Sequence, residues 1–204
     1  FTVYEKRVDT NDLPFFLAMI DHLVAKGCPV PASLKTRDGE GTITRNGKSM
    51  AMMEFMPGLS VTHPTAPQAL STGRALGQMH KALADFPLER PNTLGPEGWY
   101  ALADRCGDAL DEIAPGLKAR VAAECAFLKA NWPSDLPRSV IHADLFPDNV
   151  LMSGNDVCAI IDFYFACSEV RAWDVAVTHT AWSFDGVDNR YLPDVGTALL
   201  KGYD

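Results

Sequence analysis

The residues best suited to chemistry lie in one segment, Val140-Ile141-His142-Ala143-Asp144-Leu145-Phe146-Pro147-Asp148-Asn149-Val150-Leu151-Met152, followed by Ile160-Ile161-Asp162-Phe163. Apolar residues lead in and out, and between them stand a histidine, two aspartates and an asparagine, which need partners or a task in such surroundings. Ser153-Gly154-Asn155-Asp156 predicts a chain reversal centred between Gly154 and Asn155. That register sets Asn149 opposite Ile160 and brings Asp162, two residues on, to the same face of the hairpin. Diagonal neighbours of this kind are ~7–8 Å apart, a span that one hard cation can bridge. An amide oxygen and a carboxylate suit Mg²⁺ rather than Zn²⁺. Asp144 falls at the mouth of the same site, placed to meet a hydroxyl group.

The elements that must position this loop can be read from periodicity. Phe1-Thr2-Val3-Tyr4 is β-prone. Leu13, Phe16, Leu17, Ile20, Leu23 and Val24 recur at helical spacing between Asp9 and Ala25, with Asn11 or Asp12 as the cap and Gly27 as the stop. Asn46-Gly47 between two β-prone runs predicts a hairpin that ends at Met56-Pro57-Gly58. Beyond it, three helical stripes are expected to form core: Leu70 to Phe86, Trp99 to Ile113, and Leu117 to Leu128. Short strands are expected near Ser139–Ile141 and within Asn149–Phe163, then a helix over Ala172–Trp182 and another at the C-terminal edge. The fold class is therefore α+β, with a small β-rich lobe at 1–57 and a larger, mainly helical lobe at 58–204.

Composition narrows the function. The chain has 204 residues, 47% of them hydrophobic, with 26 acids against 18 bases and a net charge of −8. That balance argues against a general nucleic-acid binder. Residues 141–204 hold ten acids and three bases, several of the acids inside apolar runs. Five widely spaced cysteines without a C-x-x-C motif read as free thiols in a reducing compartment. No apolar run approaches the ~18 residues of a membrane span, and the first residues do not have the form of a signal peptide. A cytoplasmic protein is expected. Gly41 and Gly47-Lys48-Ser49 miss a phosphate-binding loop by one residue and lead into a strand rather than a helix. G-x-S-x-G and H-E-x-x-H do not occur. A metal hydrolase built on His142 and Asp144 gains nothing from His22, His63, His80 and His179, which show no ligand spacing.

The H-x-D-x-x-x-x-N segment followed by Ile161-Asp162-Phe163 resembles the catalytic and metal-binding motifs of the protein-kinase-like aminoglycoside and choline kinases. Val3-Tyr4-Glu5-Lys6-Arg7-Val8, Asp12-Leu13-Pro14-Phe15-Phe16 and Tyr164-Phe165-Ala166-Cys167 are similar to bacterial homoserine kinases of that superfamily. The resemblance covers nearly the whole chain. It implies a two-lobed kinase fold, ATP and Mg²⁺ as cofactors, L-homoserine as the acceptor, and no nucleic-acid or membrane partner. It implies Asp144 as the base for the substrate hydroxyl and Asn149 with Asp162 as holders of Mg²⁺. His142 would tie the loop to the Asp162 segment, and Asp174 would brace it. Glu54 and Met56 would meet adenine through their backbone. Asp148, where many aminoglycoside kinases carry glycine, and Tyr164 are candidates for reading the amino-acid substrate.

The family's phosphate-covering loop precedes the first strand, and the sequence starts after that point. Thr2 stands where the strand lysine is expected, with Lys6 as the nearest substitute, and Phe16 stands near the helix glutamate. The small lobe is thus expected to be partial, and the large lobe truncated. A kinase of another small alcohol, or a non-catalytic nucleotide-binding member, are the alternatives.

Overall fold

The computed structural model describes residues 1–5 and 9–204. It divides into two compact units, residues 1–90 with 138–204, and residues 91–137. The boundary expected at Met56-Pro57-Gly58 falls inside the first unit.

The first unit opens with β1 (Thr2–Val3). A 3-10 turn at Thr10–Asp12 runs into α1 (Leu13–Ala25). Of the expected caps Asn11 and Asp12, Asp12 stands at the N-cap of α1 but makes no side-chain cap bond there, while the Asp9 carboxylate caps the preceding turn by accepting the Asn11 N–H at 2.9 Å. Asp12 is committed elsewhere, its carboxylate accepting from Arg90 Nε at 2.7 Å. Helix α1 buries Phe16, Met19 and Leu23, the i, i+3, i+7 face that its sequence marks as apolar. Then come β2 (Ser33–Leu34), β3 (Ile43–Arg45) and β4 (Lys48–Met53). Strand β4 is the hub, antiparallel to β1, β2 and β3. Asn46 and Gly47 both have positive φ, 53° and 73°, as a two-residue hairpin turn requires. The near phosphate loop is therefore a hairpin, as expected. Helix α2 (Ala66–Ala82) follows, its first turn closed by Gln68 Oε1 accepting the Thr65 N–H at 3.0 Å.

The second unit holds α3 (Pro96–Cys106), α4 (Ala109–Ile113) and α5 (Leu117–Asn131). The single stripe expected from Trp99 to Ile113 is broken at Gly107-Asp108. None of α3, α4 and α5 has a buried residue, and Ile113 is 77% and Phe127 61% exposed. The expectation that these stripes form core is thus corrected. Three short helices have too little interior for large side chains, although Trp99 and Trp132 meet edge-to-face at 5.7 Å.

The chain re-enters the first unit with β5 (Arg138–Ile141), β6 (Val150–Ser153), β7 (Asp156–Ile160) and β8 (Cys167–Val170). Helices α6 (Arg171–Trp182) and α7 (Pro193–Tyr203) complete it. Strand β8 has no counterpart in the sequence reading. It pairs antiparallel with β5 from Arg138↔Val170 to Ile141↔Cys167. Ser168 of β8 also donates its N–H to Arg90 O at 2.7 Å, and its Oγ accepts the Arg90 N–H at 3.2 Å. Both residues that flank the second unit are therefore fastened to one strand. Leu59 makes a bridge to Met152 of β6.

Helices α2 and α7 touch backbone to backbone. A Cβ on Gly73 would stand 2.1 Å from Leu199 O, and one on Gly202 would stand 2.1 Å from Leu70 O. Between rigid helix backbones such a clash forces the pair apart. Gly73→Ala is expected to destabilise the protein by about 1–3 kcal/mol, read as a lower denaturation midpoint. An unchanged midpoint would mean that the two helices do not meet at glycine.

Candidate active site

The loop between β5 and β6 is built around one buried carboxylate. Asp174, in the first turn of α6, is fully buried. Its Oδ2 accepts the His142 N–H at 2.8 Å and its Oδ1 the Ala143 N–H at 2.9 Å. His80 Nε2 from α2 donates to Oδ2 at 2.9 Å, while His80 Nδ1 pairs with the Tyr203 hydroxyl at 2.8 Å. Burial works to raise the Asp174 pKa, but the hydrogen bond and charge of His80 and the His142 backbone outweigh it, and the carboxyl is held below its ordinary range. The same loop is tied to α6 a second time, Trp182 Nε1 donating to Leu145 O at 3.0 Å.

His142 is also fully buried. Its Nε2 donates to Ile161 O at 3.0 Å and its Nδ1 accepts the Asp144 N–H at 3.3 Å. One nitrogen donating and the other accepting defines a neutral imidazole, and burial pushes its pKa down. An unfolded histidine titrates near ~6.5. Below that value the unfolded chain takes up a proton that the folded one refuses. Stability is thus complete above this window and falls as pH drops through it. Between about pH 7 and 5.5, wild type should lose up to ~1.4 kcal/mol per pH unit more than His142→Gln. Denaturation midpoints against pH will test this, and parallel slopes would refute it.

Asp144 is half-buried, and Asn149 is buried. Asn149 Nδ2 donates to Asp144 O at 2.7 Å and to Asp144 Oδ2 at 3.2 Å. With its nitrogen so committed, the Asn149 amide oxygen is the atom that remains for a ligand. Burial raises the Asp144 pKa, with the like charges of Asp162 and Asp148 adding to it against the opposing pull of His142 and Asn149. His142, Asp144 and Asn149 are therefore joined side by side within the loop.

Asp162 arrives by a different route from the one expected. Asn149 does not oppose Ile160: Ser153 pairs with Asp156, but a bulge between Leu151 and Met152 puts Val150 opposite Ile160. The Ile161 N–H then donates to Asn149 O at 3.0 Å. The extra residue re-aims the strand end, as bulges do beside functional sites. Asp162 itself adopts a left-handed conformation with φ 64°, and Ala143 across the loop has φ 66°. Strained non-glycine backbone on both sides of a cluster of acids is typical of a functional site.

The remaining candidates are dispersed. Asp148 is exposed in the 3-10 turn Pro147–Asn149. Tyr164 is half-buried, and its hydroxyl donates to the Tyr4 hydroxyl at 3.2 Å. Burial, followed by the Tyr4 contact, drives its pKa far above the usual phenol range. Strand β4 ends at Met53, so Glu54 and Met56 lie beyond it rather than ending it; Glu54 N–H donates to Ala32 O at 2.8 Å. Lys6 lies outside the described residues. Sequence reasoning missed His80, Arg90 and Trp182. For His80 a signal was present: it sits in the stripe with Leu76, Met79 and Leu83, where a histidine needs a partner.

The donor set fits a divalent hard cation. Asp162 offers an exposed carboxylate and Asn149 an amide oxygen, and Mg²⁺ commonly takes only one or two protein oxygens, completing its shell with water and phosphate. Among the described residues no group of three or more His, Cys, Asp and Glu is placed to hold a metal ion. The described cysteines are all free, Cys28 and Cys167 buried, and burial pushes the Cys167 thiol up to about 12. No described helix is long and apolar enough to cross a membrane.

A kinase-like loop, a hairpin and a bracing α6 carboxylate define a protein-kinase-like phosphotransferase fold. The chain belongs to the phosphotransferase enzyme family, which matches residues 1–204. Among curated relatives, proteins named homoserine kinase from Zymomonas mobilis and from a Chelativorans species are 49% and 47% identical over 203 residues. The alignments cover 99% of this chain and 63% and 62% of those proteins, so the chain spans about three-fifths of the length of the curated relatives it matches. A solved spectinomycin phosphotransferase superposes with a TM-score of 0.73 at 16% identity, covering 94% of this chain and 64% of that one. An aminoglycoside-3'-phosphotransferase of type VIII gives 0.65 at 21% identity, covering 95% and 72%. These two likenesses are likenesses of fold.

Proposed function

We propose that this chain carries the catalytic site of an ATP-dependent kinase that phosphorylates the side-chain hydroxyl of L-homoserine, giving O-phosphohomoserine and ADP. The observation that carries the reaction type is the convergence of Asp144, Asn149 and Asp162 on a loop braced by Asp174. The acceptor rests on the homoserine kinase relatives, whose match spans nearly the whole chain. Residues 1–57 then act as a nucleotide-binding lobe and residues 58–204 as the catalytic and substrate-binding lobe of a cytoplasmic enzyme.

Asp144 orients the acceptor hydroxyl and takes its proton as the oxygen attacks the γ-phosphorus. Its burial, which raises its affinity for a proton, suits that task. Asn149 and Asp162 would hold Mg²⁺, which when bound neutralises phosphate charge. His142, fixed as a neutral donor to Ile161 O, keeps the segment leading to Asp162 at its distance from the loop. The exposed Asp148 supplies an anion for the ammonium of an amino acid, Tyr164 is the other candidate for acceptor contact, and the backbone of Glu54 and Met56 would receive adenine. Lys6 is the residue that would touch phosphate in place of the expected strand lysine. Phosphoryl transfer depends chiefly on positioning and charge neutralisation, so this short roster suffices.

The test is ADP release by the purified protein with Mg-ATP and, in turn, homoserine, choline, hydroxylysine and an aminoglycoside. Homoserine should give the highest kcat/KM. A rate for homoserine no greater than for the others defeats the acceptor assignment, and no turnover with any alcohol defeats the kinase. Thr2 at the lysine position favours the alternative of a nucleotide-binding member without turnover, which the same assay would reveal.

A further inference from the structure

Asp162 is exposed and stands in left-handed backbone, so strand alternation does not dictate where its carboxylate points. The turn that follows it, Phe163–Phe165, is held by side chains from distant parts of the first unit. The Tyr164 hydroxyl donates to the hydroxyl of Tyr4, a residue only 5% exposed, at 3.2 Å. Thr2 lies in β1, just ahead of Tyr4. Thr2 and Tyr4 are two apart on an extended stretch and so share a face. The Tyr164 ring meets Tyr4 and Phe16 edge-on at 5.5 and 5.6 Å.

The other end of the turn is held by Arg90. Its guanidinium lies 5.1 Å from the centroid of the Phe16 ring. Nη1 donates to Ala166 O at 3.0 Å and Nε to Asp12 Oδ2 at 2.7 Å. The Ala166 N–H in turn closes the turn on Phe163 O at 2.9 Å. The first strand, the start of α1 and the residues after Asp162 thus form one clasp of aromatic faces and one cation.

We infer that Tyr4, Tyr164 and Arg90 are positioning residues that hold the Asp162 carboxylate in place for the cation, through the Phe163–Phe165 turn. This rests on Asp162 being a cation ligand, as proposed above. It gives Tyr164 a role different from contact with the acceptor, and the two roles separate experimentally. Tyr4→Phe and Tyr164→Phe each remove the hydroxyl bond and keep the rings.

Binding of Mn²⁺ with a non-hydrolysable ATP analogue, followed by electron paramagnetic resonance without turnover, should weaken about five-fold in each single variant, the effect expected of one neutral hydrogen bond. Because both variants delete the same bond, the double variant should be no weaker than either. Arg90→Lys, which keeps the charge but loses the fork, should also weaken Mn²⁺ binding, and the KM for homoserine should not move. Asp162→Asn serves as the control. If it weakens Mn²⁺ binding and the tyrosine variants do not, the clasp alone is overturned. If Asp162→Asn leaves Mn²⁺ affinity unaltered, the ligand assignment falls and the inference with it. A rise confined to the homoserine KM in Tyr164→Phe overturns the positioning role in favour of acceptor contact.

Discussion

Asp144→Asn is expected to lower kcat by about 10²–10⁴-fold while nucleotide affinity stays close to wild type. Asparagine has nearly the same shape and can still accept the hydrogen bond that Asn149 Nδ2 makes to Asp144 Oδ2, so the loop keeps its form. What is lost is the proton-accepting role proposed for Asp144 towards the acceptor hydroxyl. Burial and the neighbouring carboxylate of Asp162 both raise the proton affinity of Asp144, and neither operates on an amide. Asp162→Ala should instead weaken binding of the metal–nucleotide as well as turnover. The measurement is kcat beside nucleotide affinity for both variants. Unaltered kcat in Asp144→Asn would remove the proton-accepting role, and loss of nucleotide affinity alone would place Asp144 among the ligands.

The largest effect on stability should come from Asp174→Ala, about 3–5 kcal/mol. The substitution leaves the His142 and Ala143 N–H groups and His80 Nε2 without their acceptor in the interior, and a buried donor left unpaired bears its full desolvation penalty. Equilibrium denaturation gives the number; a loss under ~1 kcal/mol would show that the loop is braced elsewhere. The wild-type acid response has a definite sign. An unfolded aspartate titrates near ~3.9, and folded Asp174 is held below that. Its contribution is complete above the unfolded value and drains away as pH falls through the folded one.

Local signals proved readable where one short stretch settles its own conformation. Asn46-Gly47 announced its hairpin, and the apolar stripe that begins at Leu70 announced α2. The H-x-D-x-x-x-x-N loop stood out as a candidate because polar residues between apolar strands demand an explanation, and its Asp144 and Asn149 side chains do meet. What escaped was set by partners far along the chain. Asp12 looks like a helix cap until Arg90, 78 residues away, claims its carboxylate. His80 looks like a stray polar residue in a core stripe until Asp174, 94 residues on, accepts the hydrogen bond of its Nε2–H. Strand β8, Cys-Ser-Glu-Val, has no alternation to betray it and exists because β5 pairs with it. The bulge at Leu151 and Met152 shifted the register by one residue, and hairpin arithmetic has no access to such an insertion. The stripes of 91–137 show the converse: helical spacing announces a helix, but whether its apolar face is covered depends on how much protein surrounds it.

Fastening Arg90 and Arg138 to the same short strand has a topological consequence. Arg90 is bound at Ser168 and Arg138 opposite Val170, so the two ends of the intervening helical stretch stand on the order of 10 Å apart, a gap that a few glycines could close. Residues 91–137 thus enter and leave as one insertion between two anchored ends, and a lineage could lengthen, replace or trade that insertion without disturbing a hydrogen bond around Asp174.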